Sequence, residues 1–389
     1  MQHASVAPGA RTATDWTLAA ALFVAGLLAA GQFAKVAMGL PVLAGTFDRP
    51  LTAVAFLVSV LGVVGIVGGV LAGGVVAAFG ARRVLLACLW LGAGLSAVQA
   101  IPLPFPVYVA LRVIEGVSHL GIVVAAPPLM AAAATDRDRP LAMAVWASFF
   151  GVSFALFAVA APPILATGGM AALTAAHAMG MAGIALVLAA RLERSTRAPL
   201  RLDPVAAHVE IYTSPRLMAP GLGFVFYTLA FVALVTLLPA ALGRPQMAVS
   251  LPLIALLGTF GAGPLMRRMA PDVVAALGFV LTAATAILLL AGWDGAALPL
   301  FLVMGLVPAA SFAMIPDLND TLPDRARATG CIAQMGNVGT TLGTPVSAAA
   351  YAVAGLPGMM AALLAACAAG LGVTLLMRRI VRASLPQMS

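Results

Sequence analysis

Charge is what this 389-residue chain has least of. Only 9% of its residues are Asp, Glu, Lys or Arg, while 62% are hydrophobic. A soluble domain carries about 25% charged and roughly 45–50% apolar residues, so this balance excludes an ordinary water-soluble globule and points to lipid. A soluble Ala-rich helical protein would need charged faces every few turns, and long tracts here have none. Cysteine is scarce too. Cys88, Cys331 and Cys367 stand apart, which indicates neither a disulfide framework nor a cysteine metal motif. The four histidines are scattered, with no HExxH, no phosphate-binding P-loop and no acidic calcium loop. No metal, no cofactor and no enzyme chemistry is therefore expected. The net charge of +8 and pI near 10.4 do not describe one basic patch, because the arginines are divided among hydrophobic blocks, so no nucleic acid partner is expected.

What the chain has in abundance is uncharged sequence. About 20 residues at 1.5 Å each cross the hydrocarbon, and the intervals between charges measure up against that length. The first span is predicted from Trp16 to Leu43, following a short polar tail rather than a cleaved leader. Further spans fall at Thr52–Ala78, Val84–Ile101 and Phe105–Ala133, with Pro102, Pro104 and Pro106 breaking the run between the last two. The 51 uncharged residues between Arg139 and Arg191 make two spans, with the turn signalled by Pro162-Pro163 and Gly168-Gly169. Single spans follow between Arg216 and Arg244, at Met247–Leu265, at Val273–Leu290 and at Ala297–Pro316. The 50 uncharged residues between Arg327 and Arg378 again make two, turning at Gly355-Leu356-Pro357-Gly358. The expectation is an all-α membrane protein with 12 transmembrane helices. Residues 1–190 form one six-helix half, 191–216 a linker, and 217–389 a second six-helix half. The uncharged double span closing each half supports this pseudo-symmetry.

Sidedness follows from the basic residues. With twelve spans, 17 of the 21 Lys and Arg lie on the side of the termini, including Arg11, Arg82, Arg83, Arg194, Arg197, Arg201, Arg267 and Arg325. Arg49 and Arg244 lie opposite, and Lys35 and Arg112 fall inside spans. Short Arg-rich loops face the cytoplasm, which predicts cytoplasmic termini. The linker is expected to include a short amphipathic helix with Val205, Val209 and Ile211 turned to the membrane.

After the second span the chain reads Gly73-Gly74-Val75-Val76-Ala77-Ala78-Phe79-Gly80-Ala81-Arg82-Arg83. This resembles the loop signature of the major facilitator superfamily, G-x-L-x-D-R-x-G-R-[KR]-[KR]. Gly73, Gly80, Arg82 and Arg83 match. Ala77, Ala78 and Ala81 depart from it, so the family's latch through an acid at this loop cannot form here. Arg112-Val113-Ile114-Glu115-Gly116 is similar to the family's fourth-helix signature, where the arginine is linked to proton coupling. The resemblance implies a bacterial inner-membrane carrier with two six-helix bundles around a central cavity, rocking between two faces. The partners it implies are a small-molecule substrate, protons and the bilayer, and the expected state is a monomer.

Ionisable and polar groups inside a membrane are costly and usually face the protein interior or a wet cavity. The candidates are Gln32, Lys35, Arg112, Glu115, His119 and His177 in the first half. In the second they are Tyr227, Gln334 and Asn337, with Asp317 near a span end. Arg112, Glu115 and His119, spaced i, i+3 and i+7, share one helix face. Glu115 can pair with Arg112 or Lys35. A buried structural ion pair and a coupling site are both compatible with that spacing. Two cations and one carboxylate leave a positive interior, which favours an anionic or zwitterionic solute. The reading is a proton-coupled secondary transporter, set against drug export, a non-transporting scaffold or receptor, and an intramembrane enzyme. Gly336, Gly339, Gly343 and Pro345 predict close packing and a bend in the eleventh span, and Phe224, Phe226 and Phe231 read as packing or lipid-facing residues.

Overall fold

A computed structural model describes residues 13–135, 137–193 and 203–383. Expectations for Arg11, for the tail before residue 13 and for the linker stretch 194–202 lie outside the described residues. Every regular element among those described is helical. In chain order they are α1 (Trp16–Thr46), α2 (Leu51–Val54), α3 (Val63–Phe79), α4 (Ala81–Val98), α5 (Phe105–Ala133), α6 (Arg139–Ala147), α7 (Phe149–Arg191), α8 (Pro204–Thr213), α9 (Pro215–Ala241), α10 (Met247–Met266), α11 (Pro271–Leu290), α12 (Ala297–Met304), α13 (Leu306–Leu318) and α14 (Leu322–Ala383). Two 3₁₀ turns, Ala55–Val58 and Val60–Gly62, join α2 to α3.

Ten continuous stretches among the described residues are long and apolar enough to cross a membrane. Two of them are too long for one crossing. α7 has 43 residues and α14 has 62, or about 65 and 93 Å if straight, against a hydrocarbon layer of roughly 30 Å. Both fold back. Gly169 (φ 60°, ψ −158°) reverses α7, and Gly355 (φ 61°, ψ −146°) reverses α14. That backbone region is essentially open to glycine alone. Pro162 and Pro163 sit inside the first arm of α7 without turning it, so the signal divided between the proline pair and the glycines belongs to Gly169. With both reversals the fold has twelve membrane-length arms.

Packing sorts these arms into two groups. α1 packs on α5 and α7, and α4 lies against α5 and α7. α9 packs along α14, with α11 against α13 and α14, and α10 against α12 and α13. Two seams join the groups: α3 against the first arm of α14, and α7 against α10. In span numbering these are the second with the eleventh and the fifth with the eighth. Advancing six spans turns one seam into the other, as a pseudo-twofold requires. At the first seam Gly62, Gly65 and Gly69 face Thr341, Asn337 and Gln334; a Cβ at Gly62 or Gly65 would collide, and one at Gly69 would just make contact. Small residues at such spacing let helices meet where no water drives them together. The outward faces are apolar and bare: Val67, Met179, Leu257 and Val353 are 64–88% exposed.

The apolar core is not symmetric between the two faces of the bundle. One cluster draws on both groups, including Leu40, Leu57 and Leu61 with Val235, Leu238, Leu251, Phe301 and Met360. Most of it lies in the part of each arm remote from the face where the described chain begins and ends. Near that terminal face the core is split. Leu22, Leu89, Met130 and Leu188 belong to a cluster of the first group, and Ala275, Ala310 and Met314 to one of the second. The groups are thus sealed broadly on the remote side, while on the terminal side they still meet along the seam of α3 and α14, where Val70 packs against the cluster of Ile211, Cys331 and Ile332.

α8 corrects one expectation. Val205 and Val209 are exposed, but Ile211 is buried against Leu217, Cys331 and Ile332. Its polar residues reach the same neighbour: Glu210 pairs with Arg327 at 2.9 Å, and the Tyr212 hydroxyl donates to Gln334 Oε1 at 2.7 Å. α8 is docked on α14 rather than lying with all three apolar residues in lipid.

Candidate functional site

Glu115 is the centre of a buried charge cluster. Lys35 Nζ lies 2.6 Å from its Oε1, and the Arg112 guanidinium and the Gln99 amide both donate to Oε2. Lys35, Arg112 and Glu115 are fully buried. The i, i+3 spacing on α5 brings Arg112 onto Glu115, and α1 brings Lys35 across, so Glu115 pairs with both cations rather than choosing one. Lys35 also donates to Ser96 Oγ at 2.8 Å, and Ser96 contacts His177 Nδ1 at 2.9 Å. His177 reaches the Leu28 carbonyl through Nε2, and His119 the Ala29 carbonyl through Nδ1. Gln32 donates to Ser118, which donates to the Cys88 carbonyl. Lys35 therefore does not snorkel to the interface. Ser96 and Gln99, three residues apart near the end of α4, escaped the sequence reading. Their signal was two polar groups on one face of an apolar span.

Arg112 also ties the cluster to an irregular backbone. Nε donates to the Leu57 carbonyl at 3.0 Å and Nη2 to the Val58 carbonyl at 3.3 Å. These carbonyls lie in and next to the 3₁₀ turns, where the α-helical ladder is interrupted, and such interruptions often mark hinges. The same segment meets the other group directly, since Ser59 Oγ donates to the Thr341 carbonyl at 3.0 Å. Gly116 allows the approach, for a Cβ there would strike the Leu61 carbonyl.

A separate cavity of about 520 Å³ lies between the two groups, on the terminal side of the joining cluster. α6, α7, α9, α10, α13 and α14 all contribute to its wall, which holds no charged side chain. Seven aromatic residues line it: Trp146, Phe149, Phe150, Phe224, Tyr227, Phe231 and Phe312. Phe150 and Phe231 face each other across the groups at 6.5 Å, and Tyr227 stacks on Phe231 at 5.3 Å. The structure places Tyr227 in this wall. It places Phe224 and Phe231 there too; both are packed in hydrophobic clusters, as expected, and also line the cavity. Helical periodicity cannot separate a ring that faces lipid from one that faces a cavity.

The charge cluster does not line this cavity. Phe33 stands between them, edge-on to His119 at 5.0 Å and 5.5 Å from Phe150. Gln334 and Asn337 are likewise outside the wall, at the seam of α3 and α14. Gln334 donates to the Ile66 carbonyl at 2.6 Å and contacts His208 at 3.2 Å, while Asn337 donates to its own helix at the Ala333 carbonyl. In the loop motif Gly80 ends α3 at φ 87° and starts α4. Arg82 donates to the carbonyls of Ala189 and Leu192 at 2.9 and 2.8 Å. A cation there satisfies orphan acceptors at a helix C-terminus. It fastens the loop to the end of α7 within its own group. A Cβ at Gly73 would meet open space, and Arg83, next to Arg82 in the chain, is exposed. Asp317 lines a second hollow with Arg216 and Arg382, away from the aromatic cavity. Among the described residues no three His, Cys, Asp or Glu are grouped to hold a metal.

The family model described as Major Facilitator Superfamily matches residues 21–317. No curated protein matches the chain. Among solved structures, the human organic anion transporter MFSD10 (TETRAN) is similar at 18% identity and a TM-score of 0.69, over 92% of this chain and 98% of that one. A bacterial homolog of the human lysosomal transporter Spinster, in an inward-facing and unoccupied conformation, is similar at 13% identity and a TM-score of 0.71, over 96% of this chain and 99% of that one.

Proposed function

The chain belongs to the major facilitator superfamily, and from that premise we propose that it takes up a small organic anion or zwitterion by alternating access, coupled to protons. It is a multi-pass membrane carrier and not an enzyme. The proposal adds twelve crossings, a bacterial inner membrane, cytoplasmic termini and two six-helix halves, 1–190 and 217–389, joined by a linker at 191–216. A monomer suffices, because each copy encloses its own cavity.

One observation carries the mechanism. The apolar core joins both halves broadly on one side of the bundle and divides into smaller clusters on the other, where the halves keep contact along the seam of α3 and α14, with a cavity below the joint. A sealed face opposite an open one is what one end state of alternating access requires. Packed cores are bistable rather than continuously deformable, so a rocking exchange of these two seals is the natural second state.

The coupling assignment rests on the cluster. Glu115 is a buried carboxylate held between two buried cations. Protonating it leaves Lys35 and Arg112 without their counter-charge and weakens the hold that keeps Arg112 on the Leu57 and Val58 carbonyls. Those carbonyls belong to the segment that meets α14 across the seam. Proton binding and the seam are then linked, each altering the other by the same free energy. The net positive charge of the cluster favours an anion in the neighbouring cavity.

The test is transport into proteoliposomes with and without a pH gradient. An organic anion should accumulate against its gradient when the outside is acidic. Equal entry with and without the pH gradient would remove the coupling. The apolar wall favours a second reading, export of lipophilic compounds. Proton-driven efflux of a lipophilic cation, with no anion transport, would select it.

A further inference from the structure

The aromatic cavity says more about the substrate than its sign of charge. Resting on the carrier reading, we propose that the cavity among Trp146, Phe150, Phe224, Tyr227, Phe231 and Phe312 is the substrate site, and that it selects an organic anion with a flat aromatic body, held by ring contacts and neutral donors instead of an ion pair.

The wall dictates the body. A cavity of about 520 Å³ falls in the size range of small-molecule sites, roughly 300–1,000 Å³. It is too large and too apolar for a compact polar anion, which would surrender its hydration and find no charge to replace it. Rings contribute large apolar area and prefer offset or edge-on ring partners. The wall already shows that geometry, with Phe150, Phe231 and Tyr227 in a row and Phe224 edge-on to Phe312 at 5.6 Å.

The polar groups dictate the head. The Thr228 and Thr259 hydroxyls are engaged with carbonyls of their own helices. Tyr227, Thr340 and the Trp146 indole line the cavity, and each carries a donor. Donors without a facing carboxylate suit a carboxylate or another delocalised anion. An aromatic cage by itself attracts cations. Here the cluster behind Phe33 opposes that, since it holds two cations and one carboxylate. The positive charge acts through an apolar layer, where it is weakly screened.

The experiment uses the full chain in nanodiscs with Trp16→Phe, Trp90→Phe and Trp293→Phe, which leaves Trp146 as the reporter. The probes are 2-naphthoate, succinate and tetraphenylphosphonium, and the thermal shift of the unaltered protein with each probe gives a second readout. Naphthoate should change Trp146 emission saturably and raise the melting temperature, and the other two should do neither. Phe231→Ala and Tyr227→Phe should each weaken naphthoate roughly tenfold, the scale of 1.4 kcal/mol. Tetraphenylphosphonium binding in place of naphthoate would overturn the charge class. Succinate binding that is untouched by Phe231→Ala would overturn the aromatic class and place the site elsewhere. Counterflow of naphthoate separates this inference from the carrier reading. Binding without counterflow contradicts the carrier reading and supports the site, and counterflow of succinate alone does the reverse.

Discussion

At the scale of single residues, the cluster around Glu115 makes predictions that distinguish coupling from scaffolding. Glu115→Gln keeps the shape and removes the charge. Proton-driven accumulation should be lost, while counterflow per folded molecule persists; normal pH-driven uptake by this variant would end the coupling assignment. Arg112→Ala should behave differently. It removes a cation from Glu115 and also leaves the Leu57 and Val58 carbonyls without their donor. Breaking a buried pair by removing one partner costs about 3–5 kcal/mol, so both variants should lower thermal stability. Arg112→Ala should also speed hydrogen exchange in the 3₁₀ turns at 55–62; unaltered exchange there would contradict the role given to the backbone contacts. Much of this cluster was legible in the chain, because charge inside an apolar run is conspicuous. Lys35, Arg112, Glu115, Gln32 and His119 all announce themselves that way. Their isolation from the cavity was not legible. It depends on Phe33 standing between α5 and Phe150, a contact among three spans that no local pattern encodes.

At the scale of elements, the two reversals and the linker helix carry the testable content. Gly169 and Gly355 hold backbone conformations that cost other residues of order 1–3 kcal/mol. Gly169→Ala and Gly355→Ala should each reduce the yield of monodisperse protein, whereas Pro162→Ala, inside a continuous arm, should not; a reversed ranking would show that the prolines set the turn. α5 begins and ends at Phe105 and Ala133, where prolines before it and charges after it mark the ends. α14 instead starts at Leu322, ahead of the Arg327 that bounded the uncharged run. Arginines at a span end can lie on the helix itself, so charge spacing finds the crossing and misses the helix terminus. α8 was legible as amphipathic but its partner was not, because Ile211 reads alike whether it meets lipid or Ile332. Docking predicts that Tyr212→Phe together with Glu210→Gln speeds hydrogen exchange in α8 and leaves α5 unchanged. Unaltered exchange in α8 would mean that those contacts do not hold it.

At the scale of the whole molecule, the twelve-arm count and the placement of arginines agree, and the excess of arginines on the terminal face predicts cytoplasmic termini. Cysteines introduced at Gly243 and Asp294 should react with an impermeant reagent in intact cells, and those at Arg82 and Arg267 should not; the opposite pattern would invert the carrier. The central claim, however, is that the two halves exchange seals. Its most direct measurement is a pair of spin-label distances in one reconstituted preparation. One pair joins Asp48 to Gly243 across the sealed face, and the other joins Arg137 to Asp320 across the open one. Acidification with substrate present should lengthen the first distance and shorten the second, in proportion and in the same population of molecules. Distances that stay fixed under all conditions, or that grow and shrink together, would contradict alternating access in this protein.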